Sequence, residues 1–219
     1  MPPSVAVEAV CSGNTQSTSG GSGNMSVSAG SRLILLHTQA DGVGQPTLTF
    51  KWNTTEQLTE VVNYDPQTPW GTGSILAYYL NNPTAGSYAI SYAKSAGPRG
   101  HYVCCSLTGA GGFPGAIRDG QGNNQASATG IGVTLAAIAT DLSVYIGAKS
   151  DTSYSTVPYS SATEILDIAI VDGWASAGWK VGETSMGFTD SGGPASCYRS
   201  VYAVAIRPPA AGNQVIWMM

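Results

Sequence analysis

Charge is scarce in this 219-residue sequence. Asp, Glu, Lys and Arg make up only 10% of it, against roughly 25% in an average soluble domain. The exterior must therefore be built largely from Ser, Thr, Asn, Gln and Gly, which repel neighbouring molecules weakly. Nine basic residues face thirteen acidic ones, for a formal charge of −4. They form no basic cluster, which excludes the phosphate-tracking footprint of a nucleic-acid binder. No run approaches the roughly 18 apolar residues of a membrane span, and "MPPSVAVEAVCSGNTQSTSGG" lacks the basic and apolar regions of a secretory signal. The expectation is that any export follows processing, another route or lysis.

Metal and cofactor signatures are equally thin. The two histidines, His37 and His101, stand far apart, and Cys11, Cys104, Cys105 and Cys197 contain no Cys-x-x-Cys pair, so no zinc set is complete. Asp65, Asp119, Asp141, Asp151, Asp167, Asp172 and Asp190 are scattered without the alternating oxygens of an EF-hand loop. "GAGGFPG" has glycines but no Lys and no following helix, so it is no phosphate cradle. Glu56 with Glu60, and Glu164 with Asp167, have the residue types of a glycosidase pair, but spacing alone cannot set their separation; solvated loop charges are the simpler reading. The expectation is no cofactor, no metal and no enzymatic activity. Cys104 and Cys105 point to opposite faces if they lie on a strand. Four buried free thiols are the favoured reading, and a bridge from Cys11 or Cys197 to that pair is the alternative.

Turn formers and pleat-filling residues are abundant: 28 Gly, 12 Pro and 11 Tyr, the composition of many short strands joined by tight turns. "SVAVEAVC" reads as a first strand and "SGNTQSTSGGSGN" as a loop or linker. "RLILLHTQ" suits a buried strand and, with "TLTFKW", reads as a hairpin. "SILAYYLNNPTAGSYAISYAK" reads as a second hairpin across "NNPTAG". "HYVCCSLTG" follows, with Val103, Cys105 and Leu107 on one face, and residues 109–132 form a long Gly-rich separator. "DLSVYIGAK" reads as a strand with one wet side, "EILDIAIVD" as a strand, and "SCYRSVYAVAI" as the last strand. No internal repeat is evident by eye. The sum is an all-β fold, an antiparallel two-sheet β-sandwich of jelly-roll type. It divides into an N-terminal strand and Gly/Ser-rich arm (1–28), the sandwich (29–208) and a C-terminal apolar tail (209–219).

Aromatic residues divide between core and surface. Trp52, Tyr78, Tyr88 and Tyr92 are expected to fill the core. Trp70, Trp174, Trp179 and Trp217 are the candidate contacts for a partner or a glycan, because aromatic faces stack on sugar rings and anchor interfaces.

"GFTDSGGPASC" (187–197) carries Asp190-Ser191-Gly192-Gly193-Pro194, which resembles the segment around the nucleophilic serine of chymotrypsin-like proteases. That chemistry needs a base, an orienting acid and an oxyanion hole. Neither histidine has the family's Ala-Ala-His-Cys setting, Thr189 stands where the motif has glycine, and no Ile-Val-Gly-Gly start is present. The segment reads instead as a turn, with Asp and Ser capping amides.

"AGSRLILLHTQADG" (29–42), "TLTFKWNTTEQLTEV" (47–61), "YYLNNPTAGSYAISY" (78–92) and "VYAVAIRP" (201–208) together resemble the jelly-roll sandwiches of tailed-phage virion proteins and bacterial surface proteins. The resemblance implies attachment or capsid decoration and transfers no functional residue. It points to a head decoration or cement protein on the virion, contacting the major capsid protein or other virion subunits and itself, as in a homotrimer. The alternative is a carbohydrate-binding or adhesive module of a phage tail or cell surface.

Overall fold

In the computed structural model, residues 4–39, 47–64, 75–95, 100–126, 129–150, 156–159, 162–170, 173–191 and 197–210 are described. Nine strands come from the first part of the chain: β1 (Ala6–Asn14), β2 (Ser19–Val27), β3 (Arg32–Gln39), β4 (Leu48–Trp52), β5 (Glu56–Gln57), β6 (Thr59–Tyr64), β7 (Ile75–Asn81), β8 (Gly86–Lys94) and β9 (Gly100–Thr108). Eight follow: β10 (Ile117–Ala126), β11 (Gly130–Thr134), β12 (Leu142–Lys149), β13 (Thr156–Pro158), β14 (Thr163–Ile170), β15 (Gly173–Val181), β16 (Ser185–Asp190) and β17 (Tyr198–Ile206). The fold is all-β and antiparallel, as the turn-rich composition predicts.

The strands divide over four sheets rather than two, and the chain traces one path twice. The first nine strands form sheets of order β1-β9-β3-β7-β6 and β2-β8-β4-β5, a jelly roll. The next eight form β10-β17-β12-β15-β14 and β11-β16-β13, the same order less one short edge strand. Irregularities repeat as well. Glu8 bulges from the β1–β9 ladder and Arg118 from β10–β17 at matching positions, and Val61 in β6 is matched by Ile165 in β14. The turn after β7 has Asn82 at φ 50°, and the turn after β15 has Gly182 at φ 70°, a left-handed position that suits these two residue types.

The two rolls stack face to face through their five-stranded sheets. Ile34, Leu36, Val103, Cys105 and Leu107 of the first meet Leu142, Val144, Ile146, Val204 and Ile206 of the second in one continuous core. Each roll also has an inner core of its own: Leu33, Leu35, Tyr102 and Cys104 against Phe50, Trp52, Ile90 and Tyr92 in the first, and Tyr145, Val201 and Ala203 against Ile131, Met186 and Phe188 in the second. The central strands are thus covered on both faces, and apolar burial of this extent dominates stability.

This layering corrects several sequence expectations. Strand β12 has no wet side; every residue from Leu142 to Lys149 is buried, because the small sheet of β11, β16 and β13 covers the face carrying Ser143 and Tyr145. Neither expected hairpin exists: β3 and β4 lie in different sheets, as do β7 and β8, so each intervening turn crosses between layers. The Gly/Ser-rich segment is no linker, since Ser19–Val27 forms β2 and pairs with β8. Gly20 is needed there because a Cβ would come within 2.9 Å of the Tyr92 ring. The 1–28 segment therefore lies largely inside the first roll rather than forming an arm. The 109–132 stretch is no separator either, because it contains β10 and β11 up to Gly132. Trp52, Tyr78 and Tyr92 are buried and Tyr88 is half-buried, as expected of core residues.

The two rolls differ where their inner cores are filled. The β3–β7 and β12–β15 registers place Gly147 where His37 stands. A Cβ on Gly147 would collide with the Phe188 ring and lie 2.8 Å from the Ser200 carbonyl oxygen. Gly147→Ala should therefore cost about 1–3 kcal/mol of stability through overpacking, read as a lower urea midpoint with unchanged slope.

Candidate functional site

The connector between the rolls, residues 109–116, is fixed by its own short-range chemistry. Phe113 donates its amide to Asn81 Oδ1 and its carbonyl accepts from Asn81 Nδ2, both at 2.9 Å, so one side-chain amide of the first roll clasps both backbone polar groups of one connector residue. The Phe113 ring packs on Tyr79, 5.6 Å between centroids. From the other side, Gly111 donates to the Arg207 carbonyl at 3.1 Å, Arg207 donates to the Ala116 carbonyl at 2.8 Å, and Arg207 Nε donates to the Gly115 carbonyl at 3.0 Å. The Val5 amide donates to the Thr140 carbonyl at 3.4 Å. The start of β1, the connector and the segment leaving β17 therefore converge at one end of the molecule.

They enclose an open cleft of about 580 Å³ lined by Gly111, Gly112, Arg118, Ile138, Arg207 and Pro208, among others. Its surface mixes an exposed Ile138 side chain, backbone-only glycines and two guanidinium groups. Arg118 is held by Asp141, with Nε donating to Oδ2 at 2.5 Å and Nη2 to Oδ1 at 3.3 Å, and Asp141 also accepts the Ile138 amide at 3.1 Å.

In the first roll the matching bulge carries the opposite charge. Glu8 accepts from the Ser28 amide at 3.0 Å, Ser31 Oγ at 2.8 Å and Ser106 Oγ at 2.7 Å. Burial opposes ionisation of Glu8, but the Ser28, Ser106 and Ser31 hydroxyls and the Ser28 amide outweigh it and draw its carboxyl down to about 2.

At the opposite end of the strand ladders each roll buries charge. In the second, Asp190 ends β16 and pairs with Arg199 Nη2, while its Oδ1 lies 3.4 Å from Lys149 Nζ; all three side chains are almost fully buried. Arg199 Nη1 also donates to the Cys197 carbonyl at 3.0 Å. In the first, Lys94 ends β8 and donates to the Thr15 carbonyl at 2.5 Å, and His37 Nε2 lies 3.0 Å from Thr15 Oγ1. Burial, with His101 and Lys94 nearby, lowers the His37 pKa to about 3, and burial lowers that of His101 to about 4.

The protease-like segment falls in this setting. Among the described residues, Asp190 pairs with two cations and pins β16 to β12 and β17. Ser191 is exposed on the second roll, whereas both histidines are on strands of the first; residues 192–196 lie outside the described residues. Of the tryptophan candidates, Trp70 and Trp217 also lie outside the described residues. Trp174 and Trp179 are both half-buried on β15 but point to opposite faces. Trp174 donates Nε1 to Asp167 Oδ1 and its ring lies 5.9 Å from Lys149 Nζ. Trp179 packs against the core between the rolls. They form no shared platform. Asp167, weighed above as half of a catalytic pair, instead accepts from the Thr156 amide at 3.1 Å and its hydroxyl at 2.5 Å, and Glu56 binds the Thr84 hydroxyl at 2.7 Å. The cleft residues were missed in the sequence, where the only signal was a Gly-Pro stretch ending in Arg118 and a distant "IRPP".

Neither a protein-family model nor a curated protein matches the sequence.

Proposed function

We propose that the protein is a non-enzymatic structural subunit of a virion, a head decoration or cement protein that stabilises a shell through contacts with the major capsid protein and with its own copies. The observation that carries this reading is the use of its carboxylates. Glu8, Glu56, Asp141, Asp167 and Asp190 each tie a loop or strand to its neighbours, so five of the thirteen acidic residues are spent on rigidity. The two rolls share one core and a clasped connector, which gives a stiff block suited to bridging subunits. Its sparsely charged exterior favours close association over repulsion, and the cleft beside the connector offers a place for a neighbour's segment. No helix among the described residues is long and apolar enough to cross a membrane.

Co-sedimentation with shells assembled from the capsid protein of the same genome tests this. The full chain should pellet with the shells and raise their resistance to heat or chaotrope. Removing residues 213–219 should abolish co-sedimentation without changing the circular dichroism spectrum. Failure of the full chain to pellet, with reproducible binding on a glycan array that Trp174→Ala abolishes, would turn the assignment to an adhesive module.

A further inference from the structure

The β1–β9 register sets Cys11 directly opposite Cys104, the relation in which two side chains on neighbouring antiparallel strands touch. Both side chains face the inner core of the first roll, where Cys104 is buried and Cys11 packs against that core. The two residues carry thiols and are not joined in a disulfide. We propose that Cys11 and Cys104 form an oxidisable dithiol, a modification site at which a low-molecular-weight disulfide closes a bond between the first and last strands of the first jelly roll.

Three features support the assignment. Cys11 is half-buried on an edge strand and reachable from solvent, while Cys104 is fully buried beside it, the arrangement of an attacking thiol with a resolving partner. The electrostatics favour the same order: the hydrogen bond from Cys104 outweighs the opposing effect of burial and, with Ser22, holds the Cys11 thiol below its ordinary value, while burial pushes Cys104 well above its own. The fold itself does not ask for two thiols here, because the matching pair in the second roll is Gln121 and Ala203.

The exchange balances without any other reagent. The Cys11 thiolate attacks one sulfur of the small disulfide and expels a thiolate, leaving a mixed disulfide on Cys11. Cys104 then loses its proton, attacks the Cys11 sulfur and expels the second thiolate. Two electrons pass from the cysteine sulfurs to the small disulfide, and the protons of Cys11 and Cys104 leave with the two small thiols. The new bond encloses nearly the whole first roll, and long loops gain most from closure.

The test uses the full chain carrying Cys105→Ala and Cys197→Ala, so that a cross-link has one assignment, beside the unmodified chain. Each is treated with oxidised glutathione while folded, alkylated and digested without reductant. The expected result is loss of two titratable thiols, a peptide joining Cys11 to Cys104, and a rise in Tm of roughly 5–15 °C that dithiothreitol reverses. Cys11→Ser should remove all three. Full retention of free thiols, a stable glutathione adduct on Cys11 with Cys104 still free, or a cross-link in the unmodified chain that involves Cys197 or Cys105 would each overturn the proposal.

Discussion

Asp190→Ala should destabilise the protein by about 3–5 kcal/mol, the effect of removing one partner from a buried ion pair and leaving charge uncompensated. Arg199 and Lys149 both converge on this carboxylate with almost no exposed side-chain surface, so the substitution removes the counter-charge that two buried cations share. The geometry also specifies what should restore stability. Asp190→Leu combined with Arg199→Met and Lys149→Met removes the charges together, and apolar replacement of a complete buried cluster is commonly near neutral. The triple variant should therefore be more stable than the single one, with urea midpoints as the readout. A single variant that unfolds at the wild-type midpoint would show that the cluster contributes nothing to holding β16 against β12 and β17.

The same residues explain how much of the fold was legible beforehand. Alternation located nine of the seventeen strands, β1, β3, β4, β7, β8, β9, β12, β14 and β17, because a pleated strand turns alternate apolar side chains to one face. It passed over β2, β10 and β11, whose Gly, Ser and Asn residues read as loop, and the strands β5, β6, β13, β15 and β16. It could not reveal which sheet a strand joins. The turn "NNPTAG" between β7 and β8 has the composition of a hairpin turn, and nothing local distinguishes it from a connection between layers. Strand β12 misled for a related reason. Its polar positions, Ser143 and Lys149, resemble a solvated face, yet Ser143 donates to the Glu183 carbonyl at 2.6 Å and Lys149 joins the ion cluster. Long-range partners of this kind leave no mark near the residues they satisfy.

The tandem repetition was invisible because equivalent positions preserve geometry while changing chemistry. Glu8 matches Arg118, and their loop partners change in step from Ser31 to Asp141. Gly147 replaces His37, and Phe188 fills the space that the glycine leaves. A bulge position tolerates either sign of charge provided that a complementary group waits on the loop before β3 or β12. Topology is thus retained by backbone pairing, and identity can drift wherever a partner drifts with it. The candidate cleft was equally hidden, since it is assembled from the connector, the β12 approach and the end of β17, three segments far apart in sequence.

Acidification should unfold the protein in two stages, the first beginning below about pH 6.5. His37 and His101 are buried and neutral; burial lowers their pKa values to about 3 and about 4, and for His37 the nearby His101 and Lys94 add to the effect. In the unfolded chain they titrate near the ordinary imidazole value of about 6.5. Folding therefore excludes protons that the unfolded state binds. The stabilisation is fully present above pH 6.5 and is lost progressively as pH falls towards the folded-state values. One pKa unit corresponds to about 1.4 kcal/mol, so the two imidazoles together withdraw on the order of several kcal/mol by pH 4, a large part of a typical domain's stability. Glu8 acts lower down: with its carboxyl drawn to about 2, its contribution is present above its unfolded value of about 4.5 and fades below it. The variant His37→Gln/His101→Gln lacks the first stage and retains the second. Its stability should change little between pH 7 and 5, where the wild type loses ground, even if its stability at pH 8 is lower because the Thr15 contact is altered. Urea midpoints collected at half-unit pH intervals distinguish the two curves. Parallel pH dependence in wild type and variant would mean that the imidazoles are already protonated in the folded protein, contrary to their burial.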